Sequence, residues 1–210
     1  VPEAILPTVL PGARATHVEA RRRWGTISFE QAVTPAVELA REGFYLYPFL
    51  HYGIESHAAD FDRYAENRAV FRPQGCTPAV GTLLRQENLA RTLSLLIEAE
   101  RSCRGDRDAK LRAVHECFYR GPIAVRIAEF QAREGGFLTR EDLASFEVPV
   151  EAPIVCRYHS YTVHSCDTWC QGIVLLEALK ILEGIDLRAL GCNSSAYIHT
   201  LTEALNLAFA

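Results

Sequence analysis

The stretch from Glu116 to Val148, ECFYRGPIAVRIAEFQAREGGFLTREDLASFEV, constrains the fold more than any other part of this chain. It spells two helices joined by a glycine-rich turn. Pro122 suits the first helical position, where its missing N–H has no partner to lose and its φ is already helical. Ile123, Ile127 and Phe130 then recur at helical spacing, with Ala124 and Ala128 beside them. Gly135 and Gly136 stop the helix, because glycine takes the left-handed C-terminal conformation without a Cβ clash. Thr139 caps the next helix, with Asp142 three residues on in the place of a capping-box acid.

The same signals divide the rest of the chain. A helix is predicted over Thr16–Trp24. Another runs from Ser28 to Glu42, with Ser28 as cap, Gln31 at the capping-box position and Ile27 placed to staple onto the first turn. Val33, Ala36, Val37 and Ala40 form its apolar stripe, Pro35 should kink or break it, and Gly43 ends it. Phe44–His51 is aromatic and is expected to pack over the core. A helix over Ser56–Asn67 and a turn-rich loop over Phe71–Gly81 follow. The next helix, Gln86–Glu100, points Leu89, Leu93, Leu96 and Ile97 inward. The charge-dense run Arg101–Lys110 reads as an exposed excursion. Ile154–Tyr158 and Tyr161–Ser165 predict a hairpin turning at His159-Ser160. A helix over Gly172–Leu182, stopped by Gly184, precedes a last one capped by Asn193 or Ser194, which carries Ala196, Ile198, Leu201, Ala204, Leu205 and Ala208.

An apolar share of 49% and a charged share of 23% are those of a soluble globular chain, and 210 residues fit one region that can bury roughly 70% of its unfolded surface. A net charge of −4 offers nothing to nucleic acid, and no stretch has the apolar length of a membrane span. The first dozen residues, with three prolines, do not read as a signal peptide. The lack of methionine and the uncapped apolar pattern at the end are read as those of part of a longer chain. Seven cysteines, an odd number, read mostly as free thiols and favour a reducing compartment.

Candidate chemistry is sparse. His159, His164, Cys166 and Cys170 put four possible metal ligands within twelve residues. However, an offset of five sends the two histidines to opposite faces of a strand, so free cysteines beside a buried Trp169 is the better reading. His115 and Cys117 are two apart on a helix and cannot meet as base and nucleophile. His17, His51 and His199 read as structural. Glu141/Asp142 and Glu98/Glu100 read as cap and surface groups, and Arg21-Arg22-Arg23 as a solvated helix end. The Arg104–Asp106 RGD triplet reads as chance.

FYRGPIA followed by GGFLTREDLASFEV resembles the large-chain half of the γ-glutamyltranspeptidase family, where FYxGxIA precedes GGxLTxEDLAxY. TPAVELAREGF (Thr34–Phe44), QENLARTL (Gln86–Leu93) and Gln171–Ala210 agree in the same order, so the resemblance covers the chain from Pro11 onward. It implies an α+β fold: the helix-rich part of a four-layer αββα N-terminal nucleophile hydrolase sandwich, with residues 1–210 as a single region of a partial large chain. It also implies a zymogen that cuts itself into two chains. The partner is then a small chain whose N-terminal threonine attacks a γ-glutamyl amide such as that of glutathione. The resulting acyl group passes to water or an amino acid. The threonine phrase and the arginine phrase that grips the substrate carboxylate have no match here. No catalytic residue is therefore assigned, Arg14, Arg120 and Arg126 included. Substrate-binding residues stay unassigned, and no cofactor or metal is called for.

Two positions depart from the family. Ser160 stands where the hairpin turn usually has glycine, and CDTWCQG (Cys166–Gly172) replaces a proline- and serine-rich phrase. The compartment stays open, since members are often periplasmic or secreted. Other readings are an acylase or amidase on the same scaffold, a non-catalytic binding domain that keeps it, and a small zinc module around His159–Cys170. As part of a larger enzyme, these helices should leave exposed the faces that cover a sheet.

Overall fold

The structure is a computed structural model that describes residues 5–210. The first dozen residues, with their three prolines, therefore lie partly outside the described residues. The chain forms two compact units, one ending at Val148 and the other running from Pro149 to Ala210.

The first unit is helical. Its elements are α1 (Ala13–Trp24), α2 (Phe29–Glu42), β1 (Phe44–Tyr45), α3 (Pro48–Ser56), α4 (Ala58–Arg63), α5 (Ala65–Phe71), β2 (Leu83–Leu84), α6 (Glu87–Ser102), α7 (Arg107–Tyr119), α8 (Pro122–Glu134) and α9 (Arg140–Ser145). The main core joins Val18 of α1, Phe29 and Val37 of α2, Leu93 and Leu96 of α6, Leu111 and Val114 of α7, and Ile123 of α8. Each fully buried aliphatic side chain here contributes roughly 1.5–3 kcal/mol. A second cluster gathers Ala15, Tyr119, Ala124 and Leu143, with Phe118, Phe146 and Val148 packed on it.

Local capping follows the sequence. Ser28 and Gln31 make a complete capping box on α2, and Thr139 and Asp142 make one on α9. The Thr139 hydroxyl and N–H hold the Asp142 carboxyl below its ordinary range. Gly135 closes α8 at φ 75°, and Gly43 closes α2 at φ 94°. Gly121 is required by close approach, since a Cβ there would meet the Cys117 carbonyl oxygen at 2.6 Å.

Several expectations are corrected. Helix α2 continues through Pro35 without a break. Pro35 and Gln31 are both exposed, so water can reach the Gln31 carbonyl that loses its partner. Ile27 is exposed rather than stapled. Leu89 is exposed too, leaving Leu93, Leu96 and Ile97 as the inward face of α6. The Ser56–Asn67 helix is instead three short ones. His57 takes the Gly53 carbonyl with its ring (Nδ1–O 3.0 Å), and Tyr64 turns extended (φ −113°, ψ 131°) to set its ring 5.4 Å from Phe130.

The aromatic segment does not cover the core as a block. β1 pairs antiparallel with β2, Phe44 opposite Leu84. Alternation along this extended stretch sends Leu46 into a satellite core with Ile54 and Leu84, and leaves Tyr45 and Tyr47 outside. Phe49 is exposed as well. Arg72, which the sequence reading passed over, is 8% exposed and ties this corner together. It donates to Asp62 (3.1 Å), Thr77 Oγ1 (2.7 Å) and the Gly75 carbonyl (2.9 Å).

The second unit comprises β3 (Ile154–Tyr158), β4 (Tyr161–Ser165), α10 (Gly172–Leu182) and α11 (Ser195–Phe209). β3 and β4 pair in the predicted register, Tyr158 opposite Tyr161. The left-handed residue of the turn is His159, at φ 50°. Ser160 does not have positive φ, so serine serves where glycine is usual. Ser194 caps α11 by accepting the Tyr197 N–H at 3.1 Å. Leu176, Ala178, Leu182, Ala204 and Ala208 are buried, whereas Ile198, Leu205, Leu207 and Phe209 of α11 stay exposed, in keeping with the expectation of uncovered helix faces. Among the described residues, no helix is long and apolar enough to cross a membrane.

Candidate functional site

Two helices of the first unit acquire their N-terminal partners from far along the chain. The first three N–H groups of a helix need acceptors from outside it. In α2, Ser28 Oγ takes the third, that of Gln31, at 3.0 Å. The first two go to one carboxylate: Glu100 accepts Phe29 N–H at 2.8 Å and Glu30 N–H at 2.7 Å. Glu100 is only 6% exposed, so its reading as a surface group is corrected. A buried carboxylate is tolerable there because the helix N-terminus carries partial positive charge and both oxygens are bonded.

Helix α1 starts after Gly12, which has no side chain to cap with. The fully buried Tyr119 supplies the cap, its hydroxyl accepting Ala15 N–H at 3.0 Å and donating to the Pro11 carbonyl at 2.5 Å. Burial pushes the phenol pKa up, which keeps the proton this donation needs. The tyrosine of the FYRG phrase is therefore a structural clamp.

A cleft of about 400 Å³ lies beside α1 and α7, lined by Arg22, Arg23, Arg112, His115, Arg120 and Glu19 among others. Its arginines already have partners. Arg22 spans Glu19 (2.7 Å) and Asp108 (3.0 Å), Arg23 meets Glu19 (2.6 Å), and Arg112 meets Asp108 (2.7 Å). Arg120 bonds the Ala144 carbonyl (3.0 Å) and Glu116. Hydrogen bonds from Arg22 and Arg23 hold Glu19 at about 2, and those from Arg22 and Arg112 hold Asp108 below the usual carboxylate range. This is an ionic seam that ties α1 to α7. It corrects the view of Arg21–Arg23 as merely solvated, since Arg21 also reaches the Ser28 carbonyl (3.3 Å).

The other candidates stay apart. His115 stacks on Tyr119 at 4.6 Å, and burial lowers its pKa, so the ring stays neutral. Cys117 faces the Leu95 carbonyl at 3.9 Å, and burial raises its pKa, which disfavours the thiolate a nucleophile needs. His51 is tied to the Pro78 carbonyl (Nδ1–O 2.9 Å), while His17, His199 and Arg126 are exposed. Asp106 of the RGD triplet caps α7 by accepting Ala109 N–H at 2.8 Å.

In the second unit, His159 sits in the turn, with its N–H on Glu183 (3.2 Å), and His164 lies opposite Val155 on the hairpin. Among the described residues, no group of three or more His, Cys, Asp or Glu is placed to hold a metal ion. Trp169 is 72% exposed rather than buried, its indole N–H drawn outward to Glu151 at 2.9 Å.

The family model described as Gamma-glutamyltranspeptidase matches residues 4–210. Among curated relatives, the acylase ACY 1 proenzyme of Pseudomonas sp. (strain V22) is 32% identical over 202 residues, covering 96% of this chain and 34% of that protein. The glutathione hydrolase proenzyme of Escherichia coli (strain K12) is 30% identical over 202 residues, covering 95% of this chain and 32% of that protein. The chain thus spans about a third of the length of these relatives. The crystal structure of Helicobacter pylori γ-glutamyltranspeptidase aligns with a TM-score of 0.85 at 27% identity, covering 99% of this chain and 56% of that one. The fold is accordingly α+β, the helix-rich part of a four-layer αββα N-terminal nucleophile hydrolase sandwich.

Proposed function

Because this chain belongs to the γ-glutamyltranspeptidase family, we propose that residues 1–210 are part of the large chain of an autoprocessed N-terminal nucleophile amidohydrolase. The match of the family model across residues 4–210 carries this reading. The word proenzyme in the names of its relatives supports a precursor that matures by cleavage.

In this mechanism a threonine at the new N-terminus of a small chain is the nucleophile. Its own α-amino group, with an ordinary pKa near 8, accepts the hydroxyl proton as the oxygen attacks the γ-glutamyl amide carbon. The amine leaves, an ester to the threonine remains, and water or an amino-acid amine takes the acyl group. The 210 residues hold the scaffold still. Capped helices, buried cores and the α1–α7 seam fix the geometry against which a small chain is positioned.

A second reading, an acylase acting on an amide other than γ-glutamyl, is favoured by the 32% identity to acylase ACY 1 and by CDTWCQG at 166–172. The two separate on the full-length protein. The γ-glutamyl reading predicts release of aniline from a γ-glutamyl anilide, faster with an amino-acid acceptor, and none from a simple N-acyl anilide. Turnover of the simple acyl anilide alone would replace it with the acylase reading. The 210-residue chain by itself should turn over neither.

A further inference from the structure

Two cysteines of the second unit are gathered in the loop that joins β4 to α10. Cys166 follows β4 and is exposed, and Cys170 is half-buried four residues on. The loop is folded on itself. Cys170 N–H donates to the Asp167 carbonyl at 3.1 Å, and Thr168 N–H to Asp167 Oδ1 at 2.6 Å. Gly172, the first residue of α10, lies so close to Cys166 that a Cβ there would fall on its carbonyl oxygen and reach its amide nitrogen at 3.0 Å. The Gly172 N–H points at Cys170 Sγ, 3.4 Å away. Gly172 therefore stands against both cysteines, its Cα side on the Cys166 backbone and its N–H on the Cys170 sulfur. Both cysteines are free. Two thiols held together on one short loop, without a third ligand for a metal, are disposed for each other.

We propose that Cys166 and Cys170 are a reversible modification site that closes to an intramolecular disulfide by exchange with a low-molecular-weight disulfide. One cysteine, as thiolate, attacks a sulfur of the small disulfide. That S–S bond breaks, and the first small thiol leaves with the electron pair. The second cysteine then attacks the protein sulfur of the mixed disulfide, forming the protein S–S bond and expelling the second small thiol. Two electrons pass from the cysteine pair to the small disulfide, and the two cysteine protons end on the two thiols released. Ring closure wins over a lasting adduct because the second thiol lies four residues away on the same folded loop, at an effective concentration no free thiol reaches. The closed ring ties the end of β4 to the start of α10. This inference is independent of which amide the enzyme cleaves.

The test uses the full-length protein, reduced and then equilibrated with hydroxyethyl disulfide, which carries no γ-glutamyl group to be consumed. Trypsin cuts after Arg157 and Lys180, so one peptide, 158–180, holds Cys166 and Cys170 and no other cysteine. In mass spectra, that peptide should lose two hydrogens without gaining a hydroxyethylthio group, the closed form exceeding the adduct by about tenfold. Dithiothreitol should restore it. Cys166→Ser and Cys170→Ser should each stop at the adduct on the remaining cysteine. A wild-type peptide that carries adducts on both cysteines would overturn the proposal. So would an unreacted peptide in a sample where the exposed Cys76 carries the adduct.

Discussion

Replacing Glu100 with alanine should lower the stability of the full-length protein by about 3–4 kcal/mol, the largest effect expected of any single side chain discussed here. The change removes one carboxylate and with it the partners of two backbone N–H groups, Phe29 and Glu30, at a buried helix start. Hydrogen bonds to a charged acceptor contribute roughly 1.5–3 kcal/mol each, and an unpaired buried N–H costs more than a bond that was never made. Glu100→Gln should cost about half as much, because the amide keeps one acceptor but turns its NH₂ toward the second N–H. Thermal unfolding should show a drop of roughly 3 °C for alanine in a protein about three times the length of this chain. Hydrogen exchange should show faster exchange at Phe29 and Glu30, while Gln31, held by Ser28, keeps its protection. A loss under about 1 kcal/mol for alanine would mean that water replaces the carboxylate without penalty.

The second large effect belongs to Tyr119→Phe, expected to cost about 2–3 kcal/mol although only one oxygen is removed. The ring keeps its packing against Phe118, Phe146 and His115. What is lost is the acceptor for Ala15 N–H and the donor to the Pro11 carbonyl. Gly12 cannot substitute, so α1 should fray from its first turn. Denaturant titration should show a lower midpoint at unchanged slope. Limited proteolysis should cut near residues 10–16 sooner than in the parent. A midpoint indistinguishable from the parent would show that the FYRG tyrosine is retained for its ring alone.

These two residues mark where reading from sequence stops. Capping by Ser28 with Gln31 and by Thr139 with Asp142 was legible because donor and acceptor lie three residues apart and the pattern repeats across proteins. Glu100 and Tyr119 perform the same task from 71 and 104 residues away, and nothing local distinguishes them from any glutamate or tyrosine on a helix. The hairpin register and the stop at Gly135 were legible for the same local reasons. The aromatic run at 44–51 was not, since a pair of two-residue strands reverses which neighbour faces in. Pro35 shows the opposite error: the local rule was right about the missing donor, but the exposed side of α2 lets water answer the freed carbonyl.

The chemistry was legible mainly as a family likeness. The residues that carry it, FYRGPIA and GGFLTREDLASFEV, turn out to be clamps, close approaches and caps: Tyr119, Gly121, Gly135, Thr139 and Asp142. Such phrases identify the scaffold because the packing tolerates few other residues. They say little about the amide that is cleaved. The Cys166–Cys170 pair was visible as ligand-type residues, but only the folding of the loop shows the two gathered at Gly172.

The central claim is that these helices support a nucleophile supplied by another segment of the protein. It is tested most directly by trapping the acyl-enzyme of the mature full-length protein on a γ-glutamyl anilide and mapping the acylated peptide. The account predicts the γ-glutamyl group on an N-terminal threonine of a small chain, with every peptide from residues 1–210 unmodified. An acyl group found on a side chain between Val1 and Ala210 would contradict it.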